Sequence, residues 1–115
     1  MIEWEAVCCQ VLRKMPKFLL HPERDSIQLE AVLRALGDPI RMSIVRQLAK
    51  GEAERTCGFC SVPVSKSTKS HHFRVLREAG VIRVRIEGTF GMVSLRREDL
   101  SARFPRLLDT ILVNH

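Results

Sequence analysis

The sequence contains no apolar run approaching the roughly 18 residues that a membrane-spanning helix requires, so such a helix is not expected. It opens Met-Ile-Glu-Trp-Glu, with acids where a secretory leader would build its apolar core. Secretion is therefore not expected, and a reducing cytoplasm is the expected compartment. No glycine-rich phosphate loop, Ser/His/Asp constellation or pair of acid/base carboxylates stands out, and neither do repeats or low-complexity tracts. An enzyme is not the expectation, and at 115 residues the chain has room for one core only.

What is present is an excess of positive charge, with 19 Lys and Arg against 13 Asp and Glu for a net charge of +6. Residues 1–60 hold nine basic and eight acidic side chains, whereas residues 61–106 hold ten basic and four acidic ones. An excess gathered in one half points to a polyanion as partner, nucleic acid first.

The spacing of Trp4, Cys8, Leu12, Met15 and Leu19 predicts an amphipathic helix over residues 3–19, shortened or kinked by Pro16. Asp25 or Ser26 can cap a second helix with the stripe Leu29, Val32, Leu33 and Leu36, ended by Gly37. Asp38-Pro39 restarts a third, running to Lys50 with Ile40, Ile44, Val45 and Leu48 inward. Residues 51–56 read as a polar loop, and residues 57–63 hold a turn or two of helix at most. Ser65 is the next N-cap, and a helix from Lys66 to Ala79 buries Phe73, Leu76 and part of Val75 before Gly80 ends it. Its other face carries Ser67, Ser70, His71 and Arg74, with His72 directed partly inward.

Beyond Gly80 the period drops to two, with Ile82, Val84 and Ile86 alternating with Arg83, Arg85 and Glu87. A turn at Glu87-Gly88-Thr89 and a return strand over residues 90–95 complete a hairpin. From Arg97 onward Leu100, Phe104, Leu107, Leu108, Ile111 and Leu112 give a last apolar helix, with Pro105 suited to a fresh helix start. The expected architecture is mainly α with a β-hairpin wing, a winged helix-turn-helix in one domain. A helix presenting short polar side chains and cations fits the major groove, and hairpin arginines can grip the flanking backbone.

The runs Ala35-Leu36-Gly37-Asp38-Pro39-Ile40-Arg41, Ile44-Val45-Arg46-Gln47-Leu48 and the continuous stretch from Val64 to Ile82, which includes Ser65-Lys66-Ser67-Thr68-Lys69-Ser70-His71-His72-Phe73-Arg74, closely resemble the ArsR family of bacterial transcriptional regulators. The match covers about residues 29–95. It implies a homodimeric DNA-binding repressor whose operator affinity is set by a ligand, metal or oxidant. Residues 1–24 and 96–115 would supply N- and C-terminal dimerisation helices around a DNA-binding core at residues 25–95, on a palindromic double-stranded operator. Carried onto this chain, Ser65, Lys66, Ser67, Thr68, Ser70, His71 and Arg74 belong to the recognition helix and Arg83 and Arg85 to the wing. The cations suit phosphates, while Ser67, Ser70 and His71 suit base edges. Lys69 occupies a position commonly apolar in the family, the segment before the recognition helix is short, and Thr89 takes a wing-tip position that is often basic.

Relatives of this kind use Cys-x-Cys pairs for arsenic(III), cadmium or lead, and here the spacing is Cys57-x-x-Cys60. Soft thiolates at Cys57, Cys60 and Cys9 suit zinc, cadmium or arsenic(III). Cys8 falls on the apolar stripe and reads as a small core hydrophobe. Cys57 and Cys60 can also form a reversible disulfide, or have no sensory role. Asp109 and His115 lack the Asp-x-His pattern of zinc- and nickel-responsive relatives, and His21 reads as a surface or linker residue. Two other classes stay open: a small Cys-x-x-Cys thiol redox protein, whose usual βαβ context is missing, and a winged-helix protein-interaction module without DNA binding.

Overall fold

The computed structural model describes residues 21–50, 54–56, 58, 60–88 and 90–113. The helix expected at residues 3–19, with Cys8 and Cys9, lies outside them, as do Cys57, Thr89 and His115. After a 3-10 turn at Arg24–Ser26 come α1 (Leu29–Leu36), α2 (Pro39–Ala49) and a short strand β1 (Arg55–Thr56). Then follow α3 (Lys66–Ala79), the hairpin β2 (Ile82–Glu87) and β3 (Phe90–Leu95), and two short helices, α4 (Arg97–Arg103) and α5 (Leu107–Val113). The result is a mostly helical winged fold with a three-stranded antiparallel sheet in the order β1-β3-β2.

Local chemistry places each boundary. Asp38 caps α2, its carboxylate accepting the N–H groups of Ile40 at 2.8 Å and Arg41 at 3.2 Å, while Pro39 opens the helix where no N–H is needed. Ser65 caps α3 by accepting from the Thr68 N–H at 3.2 Å. Gly80 ends α3 in the left-handed region at φ 89°. The cap of α1 is a correction: Gln28 occupies it without a side-chain bond, because the 3-10 turn takes up Asp25 and Ser26.

The core is built from Ile27, the inner faces of α1 to α3, the sheet and α4, with Val32, Ile44, Val45, Phe73, Leu76, Val81, Ile82, Val93 and Leu100 fully enclosed. The stripe of α1 differs from the expected one. Val32, Ala35 and Leu36 face inward, whereas Leu29 and Leu33 are exposed at 39% and 48%. This inner face, with Val32, Ala35 and Leu36, belongs to a helix that packs against both α2 and α3.

Two segments depart from expectation. Residues 55–56 pair with the hairpin, Arg55 with Val93 and Thr56 with Met92, because β3 has an edge that a two-residue strand can satisfy. Within residues 57–63, Gly58 has 3-10 conformation, and Cys57 and Phe59 lie outside the described residues. The last apolar segment is two helices rather than one: Pro105 interrupts it, and Arg106 adopts φ 70°, a left-handed conformation that breaks the helical path. The outer edge of β2 is not bare either, since the Val84 N–H donates to His21 Nε2 at 3.0 Å, so His21 is a sheet-edge partner rather than a linker residue.

A Cβ on Gly80 would lie 2.7 Å from Cγ1 of Ile27 and 3.2 Å from Cγ of Pro22, at a φ that side chains disfavour. Gly80→Ala should therefore destabilise the fold by about 2 kcal/mol, read as a fall in the denaturant midpoint at unchanged slope.

Candidate nucleic-acid interface

Helix α3 owes its orientation to a lysine on its inner side. Lys69 is only 2% exposed, and its Nζ donates to the Cys60 carbonyl while lying 5.6 Å from the centre of the Phe73 ring. A buried ammonium is tolerated where carbonyls and aromatic faces replace water, as the Cys60 carbonyl and the Phe73 ring do here. From the other side the Gln47 amide clasps the same loop, accepting the Ser61 N–H and donating to the Ser61 carbonyl, both at 2.9 Å. Residues 60 and 61, before α3, are thus held against α2 and α3 by side chains.

Turning Lys69 inward carries its neighbour with it. Ser70 is 5% exposed, and its Oγ has no hydrogen-bond partner among the described residues. This corrects the expected outer row of Ser67, Ser70, His71 and Arg74: the side chains in solvent are Ser67, His71, Arg74 and Glu78, at steps of four, three and four. Thr68 is exposed beside them and Lys66 half-exposed at the helix start. Ser65 is also exposed, its hydroxyl bonded to Thr68 Oγ1 at 2.8 Å. Arg74 meets Glu78 one turn on at 3.5 Å, an exposed pair that a stronger anion can displace.

His72 faces the core. Arg41 donates to its Nδ1 at 3.2 Å, which fixes the neutral ring with its proton on Nε2, because a guanidinium has nothing to accept with. Burial, opposed by Asp38 and reinforced by Arg41 and His71, holds the His72 pKa below the ordinary histidine value. Arg41 itself donates to the carbonyls of Ala35 at 2.6 Å and Arg34 at 3.4 Å, so one guanidinium joins the end of α1, the start of α2 and α3.

The two wing arginines differ. Arg85 donates to both Glu54 oxygens at 2.7 and 3.1 Å and pairs with Glu87 at 2.8 Å. These bonds, Glu54 first, raise its pKa beyond the ordinary arginine value. Arg83 lies nearer the hairpin base and turns toward Asp99, at 3.5 Å. Much of the positive charge after the hairpin serves the fold: Arg96 donates to the Pro22 carbonyl, Arg97 to Ala49 and Arg103 to Ile27, at 2.8, 2.7 and 2.7 Å.

Of the cysteines only Cys60 lies among the described residues, and its side chain is fully enclosed in the core. No group of three or more His, Cys, Asp or Glu there could hold a metal ion. Cys60 is one soft ligand where a thiolate site needs several, and Cys57 and Cys9 lie outside the described residues.

A helix with an outward polar, basic row beside a hairpin wing meets its counterparts in other proteins. Residues 36–85 match the family model of a helix-turn-helix domain. The chain is 31% identical over 96 residues to the uncharacterised HTH-type transcriptional regulator YceK of Bacillus subtilis (strain 168), covering 82% of this chain and 96% of that one. The chain belongs to the HTH-type transcriptional regulators. A second such regulator, the uncharacterised MJ1325 of Methanocaldococcus jannaschii, is 33% identical over 60 residues, covering 51% of this chain and 67% of the relative. The crystal structure of an ArsR family transcriptional regulator superposes with a TM-score of 0.59 at 20% identity, over 79% of this chain and 92% of the other. The regulator's fold is thus the ArsR-type winged helix-turn-helix, and its business is DNA-binding control of transcription. No helix among its described residues is long and apolar enough to cross a membrane.

Two outcomes follow for this regulator. Ser70→Ala removes an unsatisfied buried hydroxyl, so it should leave stability unchanged or raise it by up to about 1 kcal/mol, with DNA affinity unaltered in an anisotropy titration. Because folding lowers the His72 pKa, the folded state binds fewer protons than the unfolded chain just below pH 6.5. The stability His72 gives is complete above its unfolded pKa and is lost as pH falls toward the folded one. His72→Gln keeps an acceptor for Arg41 but cannot titrate, and it should flatten the dependence of the urea midpoint on pH between about 7 and 5.

Proposed function

We propose that the protein is a homodimeric transcriptional repressor that lays α3 in the major groove of each half of a palindromic operator. The outward row on a helix locked from within carries this reading: Ser67 and His71 are placed for base edges, while Lys66 and Arg74 suit phosphates. Ser65 and Thr68 lie at the helix start, where hydroxyls and N–H groups meet the backbone of the duplex. Arg85 belongs to the wing contact, exchanging Glu54 and Glu87 for phosphate. Ser70 is left out because it is enclosed, and Arg83 because it turns toward Asp99 at the wing's base.

Pairing of two copies is supported by Leu29 and Leu33, exposed one turn apart on α1, and by the half-buried Ile111 and Leu112 of α5. Such apolar side chains favour cover by a second copy. Release from DNA is assigned to a thiophilic metal or metalloid, or to an oxidant, acting at Cys57 and Cys60. The Cys60 carbonyl bonded to Lys69 supports that assignment, because a change at the thiol would reach α3 through one residue.

Anisotropy titration with DNA from the chain's own promoter region should give saturable binding that falls steeply with salt, and Arg74→Ala should weaken it about tenfold. No binding at low salt would overturn the repressor reading. Repeating the titration with cadmium, arsenite and a mild oxidant should release the DNA, and Cys57→Ser with Cys60→Ser should abolish that release.

A further inference from the structure

Away from the proposed DNA-facing surface, a cleft of about 470 Å³ opens between the 3-10 turn, the base of the wing and the start of α4. Its volume lies within the range of small-ligand sites, roughly 300–1,000 Å³. Its charge is lopsided: Arg24, Arg83, Arg96 and Arg97 line it against Glu98 and Asp99 alone. Asp99 organises these cations. Its two oxygens accept from Arg24 and Arg96, each at 2.8 Å, and these bonds, that from Arg24 first, hold its carboxyl below the usual range.

With Asp99 engaged on both oxygens, Arg83 stands at the longer distance of 3.5 Å, its side chain 57% exposed. A guanidinium offers five N–H donors, and the bond from Arg24 to Asp99 uses Nε, which leaves the terminal N–H groups of this cleft-lining arginine for another acceptor. Arg83 and the N–H groups of Arg24 that Asp99 does not use stand beside a carboxylate shared with Arg96, and such a pair suits a doubly charged acceptor, since carboxylate and phosphate oxygens take guanidinium N–H groups in pairs. Arg83 is two residues from Arg85, roughly 7 Å along the strand, but turns to Asp99 at the base of the wing where Arg85 turns to Glu54 and Glu87.

We infer that this cleft binds a small dianion, a phosphorylated compound or a dicarboxylate, between Arg83 and Arg24, with Asp99 and Arg96 holding the site open. The inference does not rest on the operator reading, because Arg24, Arg83, Arg96 and Asp99 are not among the residues assigned there to DNA.

Isothermal titration of the full chain with inorganic phosphate, and separately with succinate, at constant ionic strength tests it and tells the two acceptor classes apart. At least one probe should bind saturably with a Kd of about 1 mM or tighter. Arg83→Gln and Arg24→Gln, both at exposed positions where folding is retained, should each weaken that binding roughly tenfold, whereas Arg74→Ala should leave it unchanged. Absence of saturable binding by both probes overturns the inference. So does binding that ignores Arg83→Gln and Arg24→Gln, or binding that Arg74→Ala removes, which would place the anion on α3.

Discussion

The arrangement of the three main helices depends on where Arg41 ends. Its backbone lies in the first turn of α2, positioned by the Asp38 cap, and its guanidinium reaches the last carbonyls of α1 and the ring of His72 on α3. Helix ends carry carbonyls short of intrahelical partners, and this planar cation donates to that of Ala35 and adds a second donor to that of Arg34, which the Gly37 N–H also reaches, while remaining part of the next helix. One side chain therefore ties the end of α1, the start of α2 and α3 together beside the hydrophobic core that all three share.

Lys69 performs a parallel task one layer out. In most folds a lysine at a core position would be expelled, yet here the preceding loop turns its Cys60 carbonyl inward and Phe73 offers its ring. Gln47 grips the same loop at Ser61 from the opposite side. The loop thereby gains two anchors beside α3, at the Cys60 carbonyl and at Ser61. Fold and proposed function meet here, because the face that α3 turns to solvent is decided by a contact on the face it hides.

Much of this was legible in the sequence wherever local chemistry decides the outcome. Asp38-Pro39, Ser65 and Gly80 punctuate the chain with residues that do one thing well, and the alternation from Ile82 to Glu87 admits only a half-buried strand. Long-range partnerships were not legible. A two-residue strand at Arg55–Thr56 has no periodicity to detect and exists because β3 has an edge to offer. Ser70 belongs by periodicity beside Ser67 and Arg74, and only the inward pull on Lys69, through a carbonyl nine positions earlier, moves it inside. Leu29 and Leu33 read as core because hydrophobicity does not say which molecule will cover it. The arginines after the hairpin read as a charge for a partner, whereas several are tied to carbonyls of this same chain.

That last feature changes how the chain can vary over evolutionary time. Arg41 serves two helix-end carbonyls and a ring, and Arg96 holds a carbonyl and a carboxylate together. Lysine has the same charge and a similar length, but it concentrates its donors at a single point and cannot span such pairs. At these positions an exchange that leaves the net charge untouched would loosen the architecture, while at Arg74 the same exchange would change only how an exposed cation meets its surroundings. Charge counted along the sequence is one quantity; its tolerance to substitution is divided between arginines that hold the protein to itself and those left to hold something else.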